Sequence, residues 1–251
     1  MTLTKILLVF ISLLFFHSGS VLSQNNNASD PEWSGSLSGE GLYQSGNTRK
    51  FYVHGKGSIT RADRYLETIL TGSYGYGENR GRKDDNEMIA SFTADLFYKN
   101  RWSPFILQYI NYSFAKGIDL RSQSGGGVKY VPVQNEDHKT SISLALIYDY
   151  EKLADKPGNF DQENLRFSLR VRTKQNIIKD RLMFNLTAFY QPVVNNFSRS
   201  NFRVETGLTA PLIKGFSLLA NYLYTFEDVV SVGRMRADNK LTFGLIVNFG
   251  K

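Results

Sequence analysis

The chain has 251 residues, of which 41% are hydrophobic and 14% aromatic, and it contains 21 glycines and no cysteine. The absence of cysteine excludes disulfides and a lipoprotein anchor. The net charge is +7, but no basic run is interleaved with stacking aromatics, so the sequence argues against nucleic acid as a partner.

The first residues predict a cleaved export signal. Lys5 precedes an apolar run over residues 6–16 that is interrupted only by Ser12, and Val21 and Ser23 occupy the minus-three and minus-one places of a cleavage site. The apolar run is about half of the roughly 20 residues that a transmembrane helix needs. We therefore expect residues 1–23 to be removed, which leaves a net charge of +6 because one lysine is lost.

A polar leader, residues 24–32, follows the signal, and from Trp33 onward the sequence alternates with a period of two. The first alternating stretch has Trp33 and Leu37 on one face and Glu40 with several serines on the other, which predicts a strand. Residues 45–48 predict a turn, after which a second alternating run completes a hairpin.

The same alternating unit repeats to the end of the chain. The further strand candidates are residues 66–76, 88–98, 105–114, 120–130, 142–150, 165–171, 182–190, 202–210, 216–226 and 241–249. The candidates at 105–114 and 120–130 alternate less clearly. With the first hairpin they give about twelve strands, an even number, as single-chain outer-membrane barrels have.

Strand length and aromatic placement distinguish a membrane barrel from a soluble one. The candidates reach about 10 or 11 residues, whereas strands of soluble sheets cluster near 5 or 6. Aromatic residues fall near the strand ends, at Trp33, Tyr43, Tyr65, Tyr76, Tyr98, Trp102, Tyr112, Tyr130, Tyr150 and Phe216. We therefore expect an all-β fold, an antiparallel transmembrane barrel over residues 33–251, with lipid of a bacterial outer membrane against its apolar face. The alternative is a soluble exported β-protein.

Three stretches resemble the salt-stress-induced outer-membrane protein family, also catalogued as domain of unknown function 481. They are residues 46–48, residues 117–121 with 125–130, and residues 238–249. The similarity runs from about Trp33 to Phe249. The resemblance implies an outer-membrane barrel induced by salt, and it supplies no substrate and no catalytic residues.

The last strand also resembles the signal that the barrel-assembly machinery reads during biogenesis. Thr242, Gly244, Val247 and Phe249 match its polar, glycine, hydrophobic and terminal-aromatic spacing. Two residues follow the aromatic, a departure from chains that end on it. We expect this machinery to be a partner during assembly.

Enzymatic chemistry finds little support in the residue pattern. Two histidines remain after cleavage, and His54 would need a serine and a carboxylate within reach to act as a base, while His138 lies in a polar connection. Glycines 125–127 precede a strand and so cannot cradle phosphate as a P-loop does. The acidic cluster at residues 84–87 lacks the spacing of a calcium loop. We expect no catalytic site, cofactor or metal, and an outer-membrane enzyme remains the weakest alternative.

Basic residues predominate on the parity that faces the lumen. The candidate solute contacts among them are Arg166, Arg170, Arg172 and Lys174 on one strand, with Arg121 and Lys129 on another. Ladders of Arg and Lys favour anions in a confined channel, so one hypothesis is a narrow pore for small anionic solutes of unknown identity. The other is a closed structural or envelope-stress barrel in which Asp149 and Glu151 pair with the basic row. A barrel of twelve strands lies between filled barrels of 8 strands and open porins of 16. The number of strands therefore does not decide between the narrow pore and the closed barrel.

An even strand count predicts the topology. Both chain ends should lie in the periplasm, with short turns at residues 62–64 and 211–215 on that side. The longer loops, at residues 78–87, 151–163 and 227–238, should then lie outside the cell.

Overall fold

The computed structural model describes residues 31–44, 49–154 and 161–250, which form twelve β-strands and no helix. In chain order the strands are β1 (Glu32–Gln44), β2 (Lys50–Ala62), β3 (Leu66–Asn79), β4 (Arg82–Leu96), β5 (Trp102–Ser113), β6 (Ile118–Gln134), β7 (His138–Leu153), β8 (Asp161–Ile178), β9 (Leu182–Val193), β10 (Asn196–Ile213), β11 (Phe216–Phe226) and β12 (Ala237–Gly250). They run from 11 to 18 residues, long enough to cross a bilayer at a tilt.

Each strand pairs antiparallel with the next along the chain, and β12 pairs with β1, so the sheet closes on itself. At the closing seam Gly39 lies opposite Leu245. Closure removes the free edges that would leave backbone groups without partners in lipid. The predicted antiparallel barrel of about twelve strands is confirmed, and the two weaker candidates, residues 105–114 and 120–130, correspond to β5 and β6.

The barrel is apolar outside and polar inside. On β7 the outward Leu144 is 63% exposed, whereas the neighbouring Ser143 points inward and is 2% exposed. Asp149 and Arg166 are both buried although both are charged. This arrangement suits a barrel whose outer face meets hydrocarbon while its polar groups line the lumen. Alternation therefore assigns the faces of these strands correctly.

Aromatic side chains gather at the end of the barrel where β4 turns into β5. The rings of Trp102 and Tyr130 stack with their centroids 4.5 Å apart. The rings of Tyr65 and Phe97 meet edge to face with centroids 6.0 Å apart. Trp102, Tyr65 and Phe97 are exposed, and amphipathic rings at this position form the girdle typical of a membrane interface.

The prediction of a loop at residues 78–87 is wrong. β3 ends at Asn79 and β4 begins at Arg82, so Arg80 and Gly81 alone form the turn, with φ angles of 52° and 76°. Two successive positive φ angles are the geometry that matches the twist of a two-residue hairpin. Charged residues on both faces conceal the alternation here, because a hairpin that extends past the apolar belt needs no apolar face.

The short turns predicted at residues 62–64 and 211–215 are close to those observed. In the first, the Asp63 carboxylate accepts hydrogen bonds from the backbone N–H groups of Leu66 at 2.8 Å and Tyr65 at 2.9 Å. These two bonds lower the pKa of Asp63. The second turn shortens to two residues because β10 extends into it.

The predicted signal peptide, residues 1–23, and most of the polar leader, residues 24–32, lie outside the described residues, so cleavage stays a prediction. β1 begins at Glu32, one residue before the predicted start of the barrel. The assignment of the chain ends and short turns to the periplasm also stays a prediction.

Glycines on β6 make room for a small apolar cluster inside the lumen. Phe105, Ala145 and Ile147 are buried together, with Leu107 packed against them. A Cβ added at Gly127 would overlap the backbone of β7, so this close approach requires glycine. The inward glycines of β6 therefore have a packing role.

Candidate functional site in the lumen

The predicted basic row lies on the lumen face of β8. It consists of Arg166, Arg170, Arg172 and Lys174, which alternate with apolar residues on the outer face. Their partners differ along the strand, however. Arg166 is fully buried among acidic residues, whereas Arg172 and Lys174 are exposed. The row is therefore divided into a paired end at Arg166 and an unpaired end at Lys174.

Arg166 is held by two carboxylates. Its Nε donates to Asp149 at 2.7 Å, and its Nη2 donates to Asp228 at 3.3 Å. A third donor, Nη1, reaches the backbone carbonyl of Gln191 at 3.0 Å. Arg199 also donates to Asp228, at 3.1 Å. The buried positive charge is thus surrounded by acceptors, the arrangement that a charge removed from water requires.

Arg121 forms a second buried network. It donates twice to Glu151, at 2.6 and 2.9 Å, and twice to Glu227, at 2.9 and 3.0 Å. Lys116 lies 3.4 Å from the same Glu227 carboxylate. Burial by itself raises the pKa of Glu227, but the two cations outweigh it and lower that pKa to about 2. The carboxylate is therefore charged at neutral pH.

The carboxylates of Glu227 and Asp228 belong to the connection between β11 and β12, not to the barrel wall. The same connection contributes Ser231, which is buried and donates to the backbone carbonyl of Gly117 at 2.8 Å. We call residues 227–231 the plug segment. It reaches across the lumen to the β5–β6 connection and to strands β6 and β8, so it narrows one end of the lumen.

Lys129, the other basic residue predicted on β6, is also paired. Its Nζ lies 2.5 Å from the carboxylate of Asp95 on β4. The pair spans Ser103 of β5, which faces Lys129 in the strand register. Three of the six predicted basic residues therefore have carboxylate partners.

The remaining three basic residues differ from these. Within residues 31–44, 49–154 and 161–250, Arg170, Arg172 and Lys174 form no ion pair. Arg170 donates to the hydroxyl of Ser143 at 3.1 Å, and its guanidinium lies 5.5 Å from the ring centroid of Phe105. The uncompensated positive charge of the row is thus concentrated at the end of β8 away from the plug segment.

A chamber of about 300 Å³ lies in the lumen beside the plug segment. Its lining includes Arg121 and Glu227 on the plug side and Arg170 beside the apolar cluster. A pair formed by Lys56 of β2 and Glu205 of β10, 3.2 Å apart, crosses the lumen at the chamber wall. The lumen therefore contains internal space, and it is bridged in several places.

The residues of the predicted assembly signal lie at the closing seam. Thr242 points inward and donates to the carboxylate of Glu40. A Cβ added at Gly244 would overlap the backbone of β1, so the seam requires glycine there. Phe249 is exposed on the outer face. Recognition of Thr242, Gly244, Val247 and Phe249 by the assembly machinery stays a prediction.

The sequence predicted the basic residues of these networks and two of their acidic partners, Asp149 and Glu151. It missed the plug segment, because Glu227 and Asp228 follow a strand end without any motif. Arg121 and Glu227 are 106 positions apart, a separation that alternation cannot connect. Among the described residues, no group of three or more His, Asp or Glu side chains is placed to hold a metal ion.

A closed sheet, an apolar outer face and a charged lumen define a porin-like β-barrel. Residues 41–249 match the family described as "Protein of unknown function, DUF481". The match covers most of the chain, so the protein belongs to that family, as the resemblance in its sequence indicated. No curated protein matches the sequence.

Solved structures resemble the barrel at low sequence identity. The NanC porin has a TM-score of 0.54 at 11% identity, covering 85% of this chain and 98% of that one. The KdgM porin has a TM-score of 0.45 at 8% identity, covering 86% and 99%. The translocator domain of the autotransporter NalP from Neisseria meningitidis has a TM-score of 0.44 at 12% identity, covering 97% and 94%. At 11% identity, the NanC porin supports the fold of this chain and nothing beyond the fold. The other two structures have TM-scores below 0.5 and support no conclusion about this chain.

Proposed function

We propose that the protein is an outer-membrane barrel that passes small solutes through a narrow lumen and favours anions. One observation carries the proposal. Arg170, Arg172 and Lys174 line one wall of a lumen that contains a chamber of about 300 Å³, and among the described residues they form no ion pair.

The location in an outer membrane is supported by the outer surface. Leu144, Phe243 and Leu241 are among many large apolar side chains that are more than half exposed. A soluble protein rarely exposes a continuous apolar surface of this kind, whereas a closed barrel in lipid requires one. The polar lumen and long strands fit the same environment.

Anion preference is supported by the position of the free charges. Charges on the wall of a confined lumen are screened less than charges on an open surface, because low-dielectric walls surround them. Arg121, Arg166 and Lys129 contribute little to this field since carboxylates neutralise them. We therefore assign the preference to Arg170, Arg172 and Lys174 instead of to the whole predicted row.

A closed structural barrel is the second candidate. It is favoured by the plug segment, whose Glu227 and Asp228 bind Arg121 and Arg166 across the lumen. In this case the ion pairs stiffen the barrel and no solute passes. Induction by salt, which the family resemblance implies, is compatible with either candidate and is measured from transcript levels after a salt shift.

Ion conduction in planar bilayers tests the proposal. The folded protein should give discrete conductance steps and a reversal potential of the sign for anion preference in a salt gradient. Replacing Arg170, Arg172 and Lys174 with Gln should lower the anion-to-cation permeability ratio, most clearly at low salt where screening is weakest.

A matched control removes three charges outside the lumen. Arg80, Arg82 and Lys83 are exposed at the tip of the β3–β4 hairpin, and their replacement with Gln should leave selectivity nearly unchanged. A folded, inserted wild-type barrel with no conductance and no anion uptake would remove the pore and leave the closed structural barrel.

A further inference from the structure

Two residues that line the chamber each have a buried donor without a hydrogen-bond partner among the described residues. These donors are the Nε of Arg170 and the Nδ2 of Asn201. Asn201 is 6% exposed. A buried donor without a partner costs free energy, so two of them in one chamber indicate a place where an acceptor is bound.

The orientation of both donors is fixed by their other contacts. The Oδ1 of Asn201 accepts a hydrogen bond from the backbone N–H of Asp228 at 3.0 Å, which leaves the amide nitrogen as the free end. Arg170 is held by its bond to Ser143 at 3.1 Å and by the ring of Phe105 beneath its guanidinium.

Aromatic and aliphatic side chains form part of the wall around Arg170. In the strand register, Phe189 of β9 lies beside Arg170 of β8 on one side and Arg203 of β10 on the other. Phe105 and Ile147 are buried together close by. A ligand that reaches Arg170 therefore meets a cation next to aromatic and aliphatic surface.

The charge of the chamber favours a single negative charge on the ligand. Lys56 and Arg203 both pair with Glu205, at 3.2 and 3.4 Å, so two cations share one carboxylate. Arg170 has no carboxylate partner among the described residues. Glu40 and Glu87 also line the chamber, and within the described ranges neither pairs with a lysine or an arginine. These two carboxylates disfavour a dianion.

We propose that the chamber binds a small organic monocarboxylate, with the carboxylate at Arg170 and Asn201 and the apolar body against Phe105 and Phe189. The inference rests on the proposed function and names its solute class. A chamber of about 300 Å³ lies at the lower end of the range of about 300 to 1,000 Å³ that is usual for ligand pockets. That is enough for one aromatic ring with a carboxylate.

Isothermal titration calorimetry of the folded, full-length barrel in detergent tests the site, with blank micelles subtracted. Benzoate is the probe, and benzyl alcohol and acetate remove its charge and its ring in turn. We expect benzoate to bind more tightly than either. Arg170→Gln should weaken benzoate binding about tenfold or more, and Asn201→Ala several-fold, because each removes a donor to the carboxylate.

Arg80→Gln, which removes an exposed charge at a hairpin tip, is the control and should bind benzoate like the wild type. Circular dichroism and heat-dependent gel mobility establish that each variant is folded. If Arg170→Gln does not fold, the wild-type preference for benzoate over benzyl alcohol together with the effect of Asn201→Ala decides the matter.

Equal binding of benzoate and benzyl alcohol, or unchanged binding by folded Arg170→Gln, would overturn the inference. The result for the carboxylate site can be distinguished from the result for the proposed pore. Benzoate binding that Arg170→Gln weakens supports the site even in a barrel that shows no conductance. Anion-selective conductance without benzoate binding leaves the pore and removes the carboxylate site.

Discussion

The strongest test of the lumen network is the removal of Arg166. This residue is 2% exposed, and Asp149, which accepts from it at 2.7 Å, has no exposed surface. Removing one partner of a buried ion pair commonly costs about 3 to 5 kcal/mol, because the other charge stays buried without compensation. Arg166→Met replaces the guanidinium with an uncharged group and keeps an unbranched side chain.

We expect a cost near the lower end of that range, about 3 kcal/mol. Each stranded carboxylate keeps one partner, since Gln123 donates to Asp149 at 3.1 Å and Arg199 donates to Asp228 at 3.1 Å. The double variant Arg166→Met/Asp149→Asn should recover most of the loss, because it no longer leaves Asp149 charged and buried.

Urea-induced unfolding of the barrel in lipid vesicles, followed by tryptophan fluorescence, measures these free energies. The control is Arg82→Gln at the exposed hairpin tip, for which we expect a change within about 0.5 kcal/mol. A loss below about 1 kcal/mol for Arg166→Met would refute the reasoning, since losses of that size belong to solvated surface pairs. Arg166 would then be a solvated lumen charge.

Three further predictions follow from particular positions. Leu144→Arg places a charge in the apolar outer face and should destabilise the barrel by about 2 to 4 kcal/mol in vesicle unfolding. Ser58→Arg, on the lumen face, should cost less than about 1 kcal/mol. Equal costs for the two variants would contradict the assignment of the faces. Gly127→Val should fail to give heat-resistant folded barrel on gels because its side chain meets the β7 backbone, whereas the outward Val128→Ile should fold. Glu227→Gln with Asp228→Asn should raise single-channel conductance by releasing the plug segment, and a conductance equal to that of the wild type would show that the segment does not limit flow.

The strands and their faces could be predicted from sequence because both depend on local periodicity. Leu144 and Ser143 are adjacent in the chain, and their opposite environments follow from the pleat of one strand. The wrong prediction of a loop at residues 78–87 also comes from this dependence on local periodicity. Charged residues occupy both faces of that hairpin, so no alternation separates strand from loop, and the turn at Arg80 and Gly81 is recognised from its backbone angles.

The candidate site could be predicted only in part, because its contacts are not local. The basic row of β8 is visible in sequence, but its division into paired and free charges depends on acidic residues from other elements. Arg166 meets Asp228 from 62 positions away, and Lys56 meets Glu205 from 149 positions away. Barrel closure brings these residues together, and no pattern within a strand encodes their distances.

The carboxylates that pair with Arg121 and Arg166 come from two different parts of the barrel, the wall and the plug segment. Asp149 belongs to the wall, and its pair with Arg166 joins the neighbouring strands β7 and β8. Glu227 and Asp228 belong to a connection, so their release would break ion pairs but no strand pairing. Opening would therefore leave the backbone hydrogen bonds of the sheet intact. The wall pairs join neighbouring strands of the barrel, whereas the plug pairs join a connection to the wall. In the proposed pore, the plug pairs are therefore the contacts whose release would open the lumen.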